Sequence, residues 1–153
     1  MWENKEDAEK IEEQQQKYDK LAAVGLKKLR ILSAVGAAIL LFHIAVMGIR
    51  SPYVLVPAVT FYVVAGFCFY KNVEFGFYAM CAALFFCTAV WASDIYKLIA
   101  LTIALFGKSD DKAQMWLRFI AMLSFLTCYI VTFWLLLLDE DIRTWKTFGR
   151  HSK

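Results

Sequence analysis

The sequence predicts an all-α integral membrane protein with four transmembrane helices in an antiparallel bundle. Of its 153 residues, 60% are hydrophobic and 16% are aromatic, more than a soluble domain usually carries. Four apolar segments each approach the roughly 20 residues that a helix needs to cross about 30 Å of hydrocarbon. The connections between the first three segments are short enough to be tight turns, so these segments should be antiparallel neighbours.

The predicted crossings are residues 31–49, 53–70, 75–94 and 115–138. Before the second crossing, Ser51 is suited to cap the helix and Pro52 to its first position, where a missing N–H costs nothing. After it, Asn72 is suited to the left-handed conformation that ends many helices. These punctuating residues set the boundaries of the second crossing.

The third apolar run is too long for one crossing. A helix from Phe75 to Phe106 would measure about 48 Å, well beyond the hydrocarbon thickness even with strong tilt. We therefore expect the membrane boundary near Asp94 and Lys97, with 95–108 forming an outer helix that lies on the membrane or protrudes. The alternative register, a crossing over 84–106, would place both charges in mid-bilayer at about 2.5–3.5 kcal/mol each.

Both ends of the chain are predicted to lie outside the membrane. Residues 1–30 form a domain of their own, a helix continuous with the first crossing, because it contains no proline and is rich in helix formers. A weak stripe at three-four spacing predicts either a solvated stalk or a helix docked on a partner: Ala8, Ile11, Gln15, Tyr18, Ala22, Gly25 and Leu29. The last domain, 139–153, is an amphipathic tail suited to a membrane surface or is disordered.

The distribution of basic residues predicts that both termini are cytosolic. On the inner side lie Lys17, Lys20, Lys27, Lys28, Arg30, Lys71, Arg143, Lys146, Arg150 and Lys153; on the outer side lie Arg50, Lys97, Lys108 and Lys112. No cleaved signal peptide is expected, since the N-terminus is acidic. A secretory-pathway or plasma membrane is favoured, and the mitochondrial inner membrane is the alternative.

A few polar residues in or near the crossings are candidates for function. His43 is either a proton relay or ligand, or a neutral side chain hydrogen-bonded to a neighbouring helix. Asp94 and Arg118 would lie at similar depth, which predicts an ion pair between the third and fourth helices, with Lys97 reaching outward. The alternative is a local pair between Asp94 and Lys97.

Small and hydroxyl side chains predict where the helices pack closely. They are Ala34, Ala38 and Ala45 in the first segment, Ala79, Ala83 and Cys87 in the third, and Ser124, Cys128 and Thr132 in the fourth. Long basic and tryptophan side chains predict interface anchors. These are Lys27, Lys28, Arg30, Trp116, Trp134 and Trp145.

The motifs that usually signal catalysis or ligation are missing from the sequence. There is no Ser/His/Asp spacing, HExxH, glycine-rich phosphate loop or CxxC among the four cysteines, so we expect no enzyme activity, metal or cofactor. The net charge of +3 comes from the chain ends and offers no nucleic-acid surface.

The layout of four crossings with internal termini resembles that of MARVEL-type vesicle and junction proteins. From the residues, we expect a non-catalytic accessory or scaffolding subunit of a larger membrane complex, in contact with the bilayer, bound lipids and other membrane subunits. The alternatives are a small oligomeric transporter or channel using His43, Asp94 and Arg118, and a MARVEL-like trafficking or junction protein.

Overall fold

A computed structural model shows that every regular element in the described part of the chain is helical. Residues 3–48, 51–105 and 112–149 are described; among them, the side chains of 3–6, 47, 94, 98, 101–105, 112, 115 and 118 are not. The helices are α1 (Glu3–Met47), α2 (Pro52–Tyr70), α3 (Phe75–Leu105), α4 (Lys112–Leu138) and α5 (Glu140–Phe148).

Four helices are long and apolar enough to span a membrane, in agreement with the sequence. The qualifying stretches are Asp7–Val46, Pro52–Tyr70, Phe75–Lys97 and Phe119–Leu138. In α3 the helix continues past Asp94 to Leu105 without a break, so residues 95–105 extend the same helix. Residues 106–108, the end of the predicted outer helix, lie outside the described residues.

The helix ends follow local chain chemistry. α1 ends at Gly48, whose φ of +74° is the left-handed conformation that glycine adopts at low cost, and whose N–H donates to the Ile44 carbonyl at 2.8 Å. Asn72 also has positive φ, 56°, as predicted. Ser51 is the N-cap residue of α2 and Pro52 is the first residue of the helix, as predicted. The Ser51 side chain, however, makes no cap hydrogen bond.

Among the described helices, α1 makes the most contacts with the others. α1 packs against α2, α4 and α5; α2 packs along α3; and α3 meets α4 over a shorter contact. We call the end formed by Arg30, Tyr70, Phe75 and Leu138 the basal end, and the opposite end the distal end. The buried core runs between them and includes Leu29, Leu40, Ala58, Tyr62, Ala65, Phe69, Met80, Ala83, Cys87 and Phe125.

Candidate functional site

One face of α1 supplies nearly all its contacts with the other helices. Its buried residues recur at three-four spacing: Ala22, Gly25, Leu29, Ser33, Gly36, Leu40 and His43. This is the pattern of a helix that keeps one seam against its neighbours over several turns. The last three residues of the predicted stripe, Ala22, Gly25 and Leu29, form the basal half of this seam.

The seam corrects four of the predicted packing positions. Ala34, Ala38 and Ala45 are exposed, and so is Ser124 on α4. The apolar part of α1 is hydrophobic on all sides, so its composition does not identify the buried face. The three alanines lie on an exposed face of the helix. The small residues that do approach a neighbouring helix are Ser33 and Gly36, which face α2.

Tyr62 of α2 is buried, with its ring against α1. A Cβ on Gly36 of α1 would be 2.9 Å from the Tyr62 hydroxyl. On α4, the Cys128 sulfur lies 3.9 Å from the Thr132 hydroxyl. Only the missing side chain at Gly36 lets a tyrosine reach this position, and periodicity did not single out either residue.

The predicted small residues of α3 are all buried, which places them inside the packed region. Ala79 is 1% exposed and Ala83 and Cys87 are fully buried. On α4, Thr132 is buried and Cys128 half-buried. These positions let the helix backbones approach closely.

His43 lies near the distal end of the α1 seam, with 2% of its surface exposed. Its ring stacks on Phe125 of α4 at a centroid distance of 4.4 Å and an interplanar angle of 25°. Phe125 in turn meets Tyr129 edge to face at 4.7 Å. The histidine is therefore part of an aromatic contact between α1 and α4.

The predicted Asp94–Arg118 ion pair stays a prediction. Both residues lie in helices, on α3 and α4, but their side chains are outside the described part of the chain. Lys97 is exposed.

The most polar site in the described residues is at the basal end, where α5 folds back on α1. Lys28 Nζ donates to the Asp139 carboxylate at 2.7 Å and to the Asp141 carboxylate at 2.5 Å. Asp139 also caps α5, its side chain accepting from the backbone N–H groups of Asp141 and Ile142. We call this arrangement, together with the apolar contacts beneath it, the basal clasp.

The clasp shifts the protonation of both partners. Hydrogen bonds from Lys28 to Asp139 and Asp141 raise the pKa of the lysine ammonium. Burial alone would raise the pKa of the Asp139 carboxyl, but hydrogen bonding from Lys28 and from the Ile142 and Asp141 amides outweighs it and lowers that pKa. Each charge therefore favours the ionised form of the other.

Beneath these charges, the apolar face of α5 is buried against the chain itself. Ile142 is fully buried and Trp145 is 4% exposed. The Trp145 and Phe69 rings meet edge to face with their centroids 5.8 Å apart. The Asp141 carbonyl lies so close to Gly25 of α1 that a Cβ at this position would overlap it. The tail is thus a helix, as its amphipathic pattern indicates, but its apolar face contacts protein where the sequence suggested a lipid surface.

Hydrogen bonds attach the clasp to the α2–α3 turn. The Trp145 indole donates to the Asn72 side-chain carbonyl at 2.8 Å, and the Asn72 amide donates to the Gly149 carbonyl at 3.4 Å. Phe148 stacks on Tyr18 of α1 at 4.9 Å. Trp145, predicted as an interface anchor, is therefore an internal contact between α5, α1 and the turn.

The other predicted anchors, Lys27, Arg30, Trp116 and Trp134, are all exposed, and one of them also bonds to α2. Arg30 donates to the carbonyl of Phe69 at 3.1 Å and to that of Tyr70 at 3.3 Å, which satisfies the C-terminal end of α2. Lys27 is exposed beside it. Trp116 and Trp134 are 62% and 59% exposed near opposite ends of α4, and their role as anchors stays a prediction.

Among the described residues, no group of three or more His, Cys, Asp or Glu side chains is placed to hold a metal ion. No protein family, curated protein or solved structure matches this chain. The geometry of the helices and the clasp is therefore the basis for assigning a role.

Proposed function

We propose that the protein is an integral membrane protein of four crossings that acts as a non-catalytic accessory or scaffolding subunit. Insertion is supported by the apolar side chains on the outward faces of the helices. Val63, Phe67 and Phe85, for example, are each more than 60% exposed. A surface of this kind is unusual in a soluble monomer but is normal against lipid.

Cytosolic termini are supported by the position of the basic residues. Lys28, Arg30, Lys71, Arg143 and Lys146 are all at the basal end or in the clasp. Because Lys and Arg near crossings are concentrated on the cytosolic side, this end is the inner one. A secretory-pathway or plasma membrane is the host that the sequence favours.

The scaffolding role rests on the part of α1 that extends beyond the clasp. Every described side chain from Asp7 to Lys20 is exposed, and among the described helices only α5 lies beside them, next to Gln14, Lys17 and Tyr18. The same stripe that α5 covers from Ala22 to Leu29 continues outward through Ile11, which is 62% exposed. A helix projecting in this way presents an uncovered face to a partner.

Co-purification from gently solubilised membranes tests this role. Ile11→Ser changes the stripe, and Gln16→Ser is a matched control on another face of the same helix. We expect the first variant to reduce recovery of a stoichiometric membrane partner at least five-fold while the control keeps it, with equal amounts of each variant in the membrane. Equal recovery with both variants would contradict a partner on this stripe.

The alternative, a transporter or channel, draws support from the polar side chains in the interior: Ser33, His43, Tyr62 and Thr132. In the described residues, however, the interior also contains Phe125 and Leu40, which are 1% and 2% exposed. Replacing His43 or Asp94 separates the two roles, since a scaffold loses assembly or abundance whereas a transporter keeps abundance and loses flux or its pH dependence.

A further inference from the structure

We propose that the outer stripe of α1 binds a helix of a partner subunit whose own apolar stripe is flanked by lysine or arginine side chains. This inference rests on the proposed scaffolding role and adds the charge of the partner. The outer stripe consists of Ala8, Ile11, Gln15 and Tyr18, and all four side chains are exposed. It extends about 15 Å along α1, close to three turns, which is enough for one short contact between two helices.

The outer stripe continues an interface that the chain already makes with itself. About two turns from Tyr18 on the same face of α1, Gly25 lies against Trp145 of α5. The helix α5 ends at Phe148, whose ring stacks on Tyr18 with the centroids 4.9 Å apart. The basal half of the seam therefore accepts an amphipathic helix. A partner helix on the outer stripe would follow α5 along the same face.

Exposed acidic side chains flank the outer stripe. At about 100° per residue around a helix, Glu12 and Asp19 lie about 60–80° from the middle of the stripe on one side, and Asp7 lies at a similar angle on the other. Where α5 borders the stripe, it adds one charge of each sign, Glu140 and Arg143. The lysines of the described segment 7–20 lie about 120–160° from the middle of the stripe, on the far side of the helix: Lys10, Lys17 and Lys20. A helix lying on the stripe therefore meets negative charge on both sides.

These charges favour a basic partner over a second copy of this chain. In a parallel pair, Asp7 of one copy would approach Glu12 of the other, and in an antiparallel pair the side that carries Glu12 and Asp19 would face itself. Like charges placed across a helix contact oppose pairing, whereas lysine or arginine on the partner would form ion pairs. The basal clasp is an example within the chain, since Lys28 of α1 pairs with Asp139 as α5 docks.

Peptide binding to the full-length protein in neutral phosphatidylcholine nanodiscs tests the charge of the partner. Two fluorescent helical peptides, each about three heptads long, carry leucine at the stripe positions and either lysine or glutamate at the flanking positions. A third peptide has the sequence of residues 5–21 of this chain. By fluorescence anisotropy, corrected for binding to empty nanodiscs, we expect the lysine peptide to bind at least ten-fold more tightly than either of the others. Equal binding of the lysine and glutamate peptides would overturn the inference, and tightest binding of the 5–21 peptide would assign the stripe to a second copy.

Two double variants locate the charges that the peptide meets. Glu12→Lys with Asp19→Lys reverses one flank of the stripe, and Glu9→Lys with Glu13→Lys makes the same change of net charge on the far side of the helix. We expect the flank variant to bind the lysine peptide at least ten-fold more weakly and to bind the glutamate peptide more tightly, while the far-side variant stays within two-fold of the unmodified chain. A gain of binding cannot come from misfolding. Equal weakening in both variants would reject a site on the stripe.

Co-purification of the stoichiometric membrane partner separates this inference from the scaffolding role. We expect recovery of the partner to fall with Ile11→Ser and with the Glu12→Lys/Asp19→Lys variant. A loss with Ile11→Ser alone would keep the scaffolding role and reject a basic partner. Unchanged recovery with Ile11→Ser would reject a partner on the stripe, whatever its charge.

Discussion

The indole of Trp145 donates a hydrogen bond to the side-chain carbonyl of Asn72 at 2.8 Å, which joins the C-terminal helix to the turn between α2 and α3. Asn72 has a second role, because its positive φ of 56° ends α2. Asn72 thus both ends α2 and accepts a hydrogen bond from α5. Since both groups are partly buried, the bond should contribute to the position of α5.

A double-mutant cycle measures this contact. Trp145→Phe removes only the indole N–H, and Asn72→Gly keeps the left-handed backbone while removing the acceptor. We expect a coupling free energy of about 0.5–1.5 kcal/mol in detergent unfolding experiments. Strictly additive effects of the two substitutions would show that the hydrogen bond contributes nothing.

Because Gly25 is closely packed, replacing it with alanine should destabilise the protein, whereas the same replacement at Gly66 should not. Gly25→Ala places a Cβ against the Asp141 carbonyl, so α5 should move from α1 and the clasp should open. At Gly66, a Cβ would only meet the Ser33 hydroxyl at 3.6 Å, and Gly66→Ala should be neutral or stabilising by up to about 1 kcal/mol.

Hydrogen exchange of residues 140–148 reports the difference between these two variants. We expect faster exchange in the Gly25 variant and unchanged exchange in the Gly66 variant. Similar protection in both would mean that α5 does not depend on close contact with α1.

The charges of the clasp predict how its stability depends on pH. Because Asp139 has a pKa below its ordinary 3.8, its contribution is present above that value and is lost as pH falls through the folded-state pKa. Because Lys28 has a pKa above its ordinary 10.5, its contribution is present below that value and is lost as pH rises through the folded-state pKa. Protection of α5 should be constant from about pH 5 to 9 and fall on either side.

Substitutions at Asp139 separate its charge from its cap. Asp139→Asn keeps a good helix cap and loses the charge, so we expect a loss of 1 kcal/mol or less, about the size of a partly exposed ion pair. Asp139→Ala loses both and should cost about 1 kcal/mol more. Equal effects of the two substitutions, measured by the exchange of α5, would show that the cap hydrogen bonds do not stabilise it.

The stack of His43 on Phe125 predicts a large effect of truncation. Phe125 is 1% exposed, so Phe125→Ala should leave a cavity and destabilise the protein by about 3–5 kcal/mol. Phe133→Ala is a control on the same helix, since Phe133 is 57% exposed and most of its surface is outside the core. Comparable losses from both substitutions, measured by the SDS concentration at half-unfolding, would contradict a central role for the stack.

Sequence patterns predicted the existence and type of the helices because long apolar segments and turn residues are local signals. The left-handed residue at Asn72 and the continuous α1 follow from side-chain chemistry within a few positions. The buried face of α1 did not follow, since a helix that is apolar on all sides has no preferred face. For this reason the prediction placed Ala34, Ala38 and Ala45 in the packed face, whereas they are exposed.

The basal clasp was beyond local reasoning because it joins distant parts of the chain. The sequence shows Asp139, Asp141 and Lys28, but each of these charges also fits an ordinary membrane boundary. The signal available was the glycine at position 25 within the stripe of α1, a residue that helices rarely contain without a packing reason. It indicates a close approach but does not identify what approaches.

The position of α5 has a consequence for biosynthesis. The surfaces it covers, on α1 and at the α2–α3 turn, are made early, whereas α5 comes at the end of the described chain. During translation these surfaces remain uncovered until α5 itself has left the ribosome, so the basal end cannot be completed before residue 148 has been made. Truncated chains that stop at Leu138 would therefore expose the same unfinished surface to the quality-control machinery.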